Sequence, residues 1–529
     1  MSEFGALSLL PPLLAIVLAI LTKRPIISLF LAIFIAGTMA NGWNPIAGIA
    51  QTGQWLADNF AGSIYIAFTI LFIGAAEAIM YKSGAINAFV DRIKEALKST
   101  RIASITASFL GVIVFVDDYI NTVIVGTTMR PITDRLKISR EMLAYIADST
   151  AAPVSALLIA TTWIGYEVGL IDKAFQDLGI DASAYGAWVS SVPYAFYPIL
   201  AIILVFLVSL THRHYGPMLK AEYRARTTGK VLRDGAKPMV TTEVDLGMPK
   251  PHGNMWVFLV PIIVLIVATF LGLWYTGGGW EAYAEGGFAE ILANCDSSLS
   301  LLWGSLASVI AAAIMVLALR QMNLEELETA IVQGFKQMQT AMIIAMLAWS
   351  IGSACDAVGT ADYVVGLATS AGVSAALVPL IVFLASMFIS FTTGTSWGTF
   401  AIMMPIAVPL AYNLSGGLGP EVFASIAAVF SGGIFGDHCS PVSDTTVLSS
   451  SFTSCDHIDH VTTQLPYAVT AAGIGIILYT LFLAGFTNGI VLLGLGIVLL
   501  VISHYLISEW YGRRVGIPHG KVPVYKLEE

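Results

Sequence analysis

Apolar runs long enough to cross a bilayer recur along almost the whole chain, and no other feature constrains its fold as tightly. Runs near the ~20 residues a spanning helix needs fall at 5–22, 26–40 (short), 63–81, 142–170, 188–210, 254–275, 299–319, 339–357, 421–450, 466–486 and 488–508. Backbone amides and carbonyls find no water in hydrocarbon, so each run is expected to satisfy them internally as an α-helix. Charged residues are 12% of the 529, half of the ~25% usual in soluble domains, which argues against a large soluble core. The reading is an all-α polytopic membrane protein with about 11 transmembrane helices, and the lipid bilayer is its first partner.

Two further apolar segments, 102–131 and 376–410, are interrupted by polar residues. Basic residues, which are enriched in cytoplasmic loops, decide how to place them. Lys23 and Arg24, the cluster between His212 and His252, and Arg513 and Arg514 mark inside segments. Eleven crossings then put the N-terminus in the periplasm, as the start of a retained first helix, and the C-terminus in the cytoplasm. Basic residues flank 102–131 on both sides, which predicts a re-entrant hairpin entered from the cytoplasm with its tip at Phe115 to Thr122. From Gln337 to Gly512 there is no Lys or Arg, so 376–410 reads as a second hairpin, entered from the periplasm, with its tip at Thr392 to Gly398. The amphipathic stretches 86–99 and 323–338 read as helices on the membrane surface.

The two halves repeat the same order: a span, an SG or VG turn at Gly84 or Gly359, a surface helix, an interrupted hairpin, and a helix broken at Pro153-Val154-Ser155 or Pro441-Val442-Ser443. Five crossings separate equivalent points, so the second copy is expected to be inverted, an arrangement found in alternating-access carriers. The division that follows is N-terminal helices 1–60, first repeat 61–211, cytoplasmic loop 212–253, linking helices 254–338, second repeat 339–487, and last helix with tail 488–529.

Within GDHCSPVSDTT, residues 436–446, the chain places Asp437, His438, Ser440, Ser443, Asp444 and Thr445 amid apolar sequence. A carboxylate at the bilayer centre costs ~2.5–3.5 kcal/mol on insertion scales, so these groups are expected to face water, an ion or each other. Pro441 removes a backbone donor and frees nearby carbonyls. Three other breaks should converge on this one: the first tip (Asp117, Asp118, Asn121), the first broken helix (Asp148, Ser155) and the second tip (Thr393, Thr395, Ser396). Their carboxylates, hydroxyls and amides suit a hard monovalent cation, with Asp437, Asp444 and Asp118 as the expected sodium ligands. Glu77, inside a span, and His438 are candidates for a proton relay. One of Asp117 and Asp118 is also a candidate N-cap. Asp356 reads as interfacial. His457 and His460 fall in an expected cytoplasmic loop.

Nothing points to an enzyme. No catalytic arrangement and no GxxxxGK[ST] phosphate loop is present, no segment suggests nucleic-acid binding, and the scattered Cys295, Cys355, Cys439 and Cys455 form no metal or disulfide framework. No cofactor is expected beyond sodium and protons as transported or coupling ions. GDHCSPVSDTTVLSSS, with CDHIDHVTTQLPYA after it and FVDDYIN before it, resembles the NhaC-type sodium/proton antiporters of the ion transporter superfamily, over roughly residues 60 to 480. The resemblance implies a bacterial inner-membrane secondary transporter with inverted repeats and re-entrant hairpins, in many relatives a homodimer. That group also includes exchangers of organic acids and carriers of amino acids. Sodium/proton exchange is therefore the first expectation, and cation-coupled transport or exchange of an amino acid or small carboxylate, lined by Trp163, Tyr166 and Trp397, is the second.

Overall fold

The computed structural model describes residues 4–22, 24–93, 97–115, 117–158, 161–238, 248–441 and 443–526, and the side chain of Asp444 lies outside that description. Lys94, the tip residue Val116, part of the 212–253 loop and Val442 of the second PVS triplet therefore fall outside the described residues. The described chain is helical, with three isolated β-bridges outside any strand. Eight of its helices are long and apolar enough to cross a membrane, or up to 11 spans if each bent pair counts as one.

Most expected spans appear as single helices: Leu10–Thr22, Pro25–Ala40, Ile64–Lys82, Trp256–Thr276, Ser297–Ala318, Gln339–Ala357, His457–Leu483 and Gly489–Val515. The 188–210 run is bent, with Ala184–Ser191 and a short turn leading into Phe196–Thr211 at 54°. Several helices have no counterpart among the apolar runs, Pro45–Gly62 and Gly279–Asn294 among them. Pro45–Gly62 turns back from Pro25–Ala40 at 120°, capped by Asn44, whose side chain accepts from Ile46 N and Ala47 N. Its Gln51, Gln54, Asp58 and Asn59 dilute its hydropathy. Gly279–Asn294 carries Glu281, Glu285 and Glu290 and bends at Gly287 (φ 69°).

Both expected broken helices are broken. The 142–170 run divides into Arg140–Ser149, the single turn Ala152–Ser155 and Thr162–Leu178; the 421–450 run divides into Pro420–Cys439 and Asp444–Phe452. Each expected hairpin is a helix pair with a short polar break, Thr100–Ile113 with Asp118–Arg135 and Val378–Thr393 with Ser396–Ser415. The arms of the second pair are each long and apolar enough to span by themselves, once the turn Ala375–Leu377 is counted, a length the sequence pattern alone did not distinguish from re-entrance. The first expected surface helix is Ala85–Ile93 and the second is Leu324–Gln337. The latter packs on Ile64–Lys82 through Gly334 and Gly74, where an added Cβ at Gly334 would sit 2.4 Å from the Gly74 carbonyl oxygen.

Pro420–Cys439 is the centre of the molecule, buried along almost its whole length. It lies against Val378–Thr393 by way of small residues: Ser390 Oγ donates to the Gly433 carbonyl at 2.5 Å, and Gly432 faces Ser386. Small residues let backbones approach in a setting where lipid supplies no hydrophobic drive between helices. The outer helices show the opposite character. On Trp256–Thr276, Ile263, Val267 and Leu271 are exposed at helical spacing, an apolar stripe suited to acyl chains.

The close approach of this helix to Val378–Thr393 predicts a stability effect. A Cβ at Gly436 would lie 2.2 Å from Phe391 N and 2.3 Å from the Ser390 carbonyl carbon, whereas one at Gly473 meets nothing within 4 Å. Gly436→Ala should therefore lose about 1–3 kcal/mol through overpacking, read as a lower thermal unfolding midpoint in detergent, with Gly473→Ala unchanged or raised.

Candidate functional site

Three of the four polar breaks meet at one cavity. Its wall includes Asp117, Asp118 and Tyr119 from the first tip, Thr162 and Trp163 from the helix after the first break, Thr395, Ser396 and Trp397 from the second tip, Asp437, and Gln337 with Met338. Its volume is about 240 Å³, several times the ~30 Å³ share of one water in the liquid. No Lys or Arg is among the described residues that line it.

Asp437 sits in the last turn of Pro420–Cys439 and is held by hydroxyls from the far side of the break and from the second tip. Its Oδ1 accepts from Ser443 Oγ at 2.6 Å and Thr445 Oγ1 at 3.2 Å, and its Oδ2 accepts from Ser396 Oγ at 3.1 Å. Thr446 Oγ1 donates to the Asp437 carbonyl at 3.0 Å. With their hydrogens committed to the carboxylate, the hydroxyl oxygens keep lone pairs for an ion. The helix ends here because Ser440 leaves the helical region (φ −77°, ψ 136°) ahead of Pro441.

At the first tip Asp117 takes the capping role: its Oδ1 accepts from Tyr119 N at 3.0 Å and its Oδ2 from Thr162 Oγ1 at 3.0 Å. Asp118 is 4% exposed and lines the same cavity. Asn121 works differently from the expected ligand role. Its Nδ2 lies against the carbonyls of Gly111 (2.5 Å), Val114 (3.0 Å) and Thr150 (2.8 Å), which binds the tip to the first broken helix. Ser155 likewise donates to the Phe115 carbonyl at 3.2 Å.

At the second tip Gly394 takes the left-handed conformation (φ 73°) that lets Val378–Thr393 stop, and Thr395 caps the next helix by accepting from Gly398 N at 3.3 Å. Thr393 turns its hydroxyl back to the Ile389 carbonyl (2.8 Å), and Ser440 donates to the Phe391 carbonyl (2.7 Å). Aromatic rings stand beside the tip: Trp397 stacks on Tyr166 with centroids 4.2 Å apart and planes at 9°, and meets Trp163 edge-on at 6.1 Å.

Asp148 and His438 do not line the cavity; they belong to a second buried polar cluster. Asp148 Oδ2 accepts from Gln464 Nε2 at 2.7 Å and pairs with His460 Nε2 at 3.1 Å. Gln464 Nε2 also reaches the His438 carbonyl. The His438 ring is bonded on both nitrogens, to Ser149 Oγ (2.8 Å) and Tyr197 OH (2.6 Å). His460 was expected in a cytoplasmic loop and is instead fully buried in the first turn of His457–Leu483, because that helix begins before the apolar run, with Asp456 as its cap. His457 lies on the surface side and meets the Pro441 carbonyl at 2.8 Å.

Glu77 is 2% exposed, both its carboxylate oxygens lack a hydrogen-bond partner among the described residues, and Asp117 and Asp118 are near enough for their charges to act on it. Thr162 and Gln337 are functional candidates that motif reading missed. Gln337, with neither side-chain atom bonded among the described residues, is the last residue of an amphipathic helix and had no sequence signal beyond that. Glu167, a further buried carboxylate, accepts from Trp188 Nε1 at 2.7 Å, away from the cavity.

The model of the Na+/H+ antiporter family matches residues 156–483. The chain belongs to that family. An uncharacterized protein of Haemophilus influenzae is 35% identical over 480 residues, 88% of each chain. The malate-2H(+)/Na(+)-lactate antiporter of Bacillus subtilis is 32% identical over 31% of this chain and 34% of its own, and the arginine/ornithine antiporter ArcD of Halobacterium salinarum 31% over 36% and 37%. Among solved structures, the Alcanivorax borkumensis YdaH transporter (TM-score 0.55, 17% identity, covering 89% of this chain and 90% of its own) and Neisseria gonorrhoeae MtrF (0.54, 15%, 83% and 84%) share the fold. A member of this family with multiple apolar helices is a multi-pass secondary transporter.

The Asp148–His460 pair predicts a measurable coupling. Asp148→Asn and His460→Gln should each lower the thermal midpoint, and a double-mutant cycle should return an interaction of about 0.5–3 kcal/mol; additive losses would show that the two side chains do not act together.

Proposed function

We propose that this antiporter-family chain exchanges sodium for protons by alternating access across the bacterial inner membrane, with its N-terminus periplasmic and its C-terminus cytoplasmic, and that it works as a homodimer. The observation that carries the reading is the cavity itself: among the described residues Asp117, Asp118 and Asp437 line it together with Thr162 and Ser396, and no Lys or Arg does. Clustered carboxylates in a low-dielectric wall attract a cation, and an oxygen-only ligand set suits a hard one. Asp437 and Asp118 are assigned the sodium ion, and Asp444, whose side chain lies outside the described residues, remains a proposed third ligand. Carboxylates that share one cavity wall disfavour each other's charge, so one takes a proton when sodium leaves. Glu77 is assigned the role of passing that proton, since it is a buried carboxylate near Asp117 and Asp118 with neither oxygen bonded among the described residues.

The stacked Trp397 and Tyr166 support a second reading, transport of a small organic ion. Trp397 lines, with Trp163, a cavity roomy enough for more than a bare ion, and Tyr166 backs it. An acidic cavity of that kind suits an amino group, and the names of two relatives pair organic substrates with exchange.

In proteoliposomes with an internal pH dye, external sodium should discharge an imposed proton gradient; a response to a labelled amino acid or carboxylate but not to sodium alone would decide for the second reading. Asp437→Asn and Asp118→Asn should abolish the sodium response while the protein still folds, because the substitution keeps shape and removes charge; sodium responses at wild-type strength in both would remove these aspartates from the mechanism.

The pH dependence has a definite sign. Protonating the shared carboxylate removes the charge that binds sodium, so apparent sodium affinity should fall about tenfold per pH unit below that group's pKa. Measured between pH 6 and 9, an affinity flat throughout would mean that the proton and the ion do not share a carboxylate.

A further inference from the structure

Where the helix Phe196–Thr211 ends, the chain turns through His212 in the left-handed conformation (φ 51°) and meets the C-terminal tail. Val522 N donates to the His212 carbonyl at 2.9 Å, and His214 N to the Gly520 carbonyl at 2.8 Å. The tail thus closes over both imidazoles, which are 2% and 0% exposed, and the helix Gly216–Thr228 brings Glu222, 1% exposed, against them. One ring nitrogen of each histidine and a carboxylate oxygen of Glu222 all lie within 4.8 Å of one another.

His212 Nε2 and His214 Nε2 have no hydrogen-bond partner among the described residues. An unpaired buried polar atom costs ~1–3 kcal/mol, and a ring nitrogen of each histidine lies beside a Glu222 oxygen, so the cluster asks for a group that accepts imidazole lone pairs. His214 Nδ1 faces Tyr467 OH at 3.3 Å; a hydrogen placed there leaves the lone pair on Nε2, the usual way a ligating histidine is oriented.

We propose that His212, His214 and Glu222 form a transition-metal site, filled by Zn²⁺ with water in the fourth position. Two imidazoles and one carboxylate are a three-ligand set that zinc accepts, while calcium and magnesium require more oxygens. Glu222 is already braced, Oε1 by Ser139 N at 2.7 Å and Oε2 by Arg226 Nη2 at 2.8 Å, and each oxygen keeps a lone pair. The guanidinium opposes a dication and the carboxylate offsets one charge, so nitrogen coordination must supply the affinity. That balance selects against ions that bind by charge alone. The ion would clip together the end of a spanning helix, the helix Gly216–Thr228 and, through it, the tail that Arg226 also holds at the Pro523 carbonyl (3.1 Å).

The test uses full-length protein purified without a histidine tag, loaded with Zn²⁺, dialysed, and assayed for metal by mass spectrometry and by competition with a chromogenic chelator. One zinc per chain is expected, undisturbed by excess magnesium or calcium, and His212→Asn or His214→Asn should weaken it at least ~tenfold. Stripping the metal should speed proteolysis of the tail. If either histidine variant fails to purify, Glu222→Gln and the visible absorption of Co²⁺-loaded wild type take its place, with tetrahedral-type bands expected. Wild type that retains no zinc above background, as a buried water alone would predict, or a double histidine variant that retains as much as wild type, overturns the site.

Discussion

A helix that stops inside a bilayer strands its last carbonyls and first amides where no water can reach them. The described breaks answer that constraint with side chains drawn from the same break or from another. Asn121 serves Gly111, Val114 and Thr150; Ser155 serves Phe115; Ser440 serves Phe391; Thr446 serves Asp437. Thr161 donates to the Ser155 carbonyl and accepts from Ile164 N, closing one helix fragment and capping the next. The hydroxyls and amides that look like ligands in sequence are largely spent on this stitching, and what they leave over faces the cavity.

The carboxylates divide by what surrounds them. Asp437 is held by three hydroxyls, two from the far side of its own break and one from the second tip, so a shift of one tip changes how it is held. Asp117 is tied to the first tip and to Thr162. The cavity is thus lined from both halves of the chain, and in the proposed cycle a movement of one half against the other would open it from one side or close it from the other. Glu77 is buried with neither carboxylate oxygen bonded among the described residues, a setting that is costly for a charge.

Behind the cavity, Asp148, His460, Gln464, His438, Ser149 and Tyr197 join Arg140–Ser149, Phe196–Thr211, Pro420–Cys439 and His457–Leu483 in one buried polar network. Such a network is costly to leave half satisfied. It fixes the register between the first broken helix and the second half of the chain, while the small-residue contacts along Ser386, Ser390, Gly432 and Gly436 allow the helices to approach.

Much of this was legible in the residues themselves. Hydropathy located the long spans, prolines and glycines located the breaks, and a cluster of carboxylates and hydroxyls between apolar runs marked Asp437, Ser443, Thr445, Ser396 and the Asp117-Asp118 tip, because polar groups at that depth demand partners. Pro45–Gly62 and Gly279–Asn294 were not visible, since polar and glycine residues dilute their hydropathy below that of a span. Only the tertiary structure placed Thr162 and Gln337 on the cavity wall and drew Asp148, Asn121 and His438 away from it. The reason is that a side chain's chemistry can be read locally, while the partner that consumes it comes from a helix as many as three hundred residues away, as His460 does for Asp148.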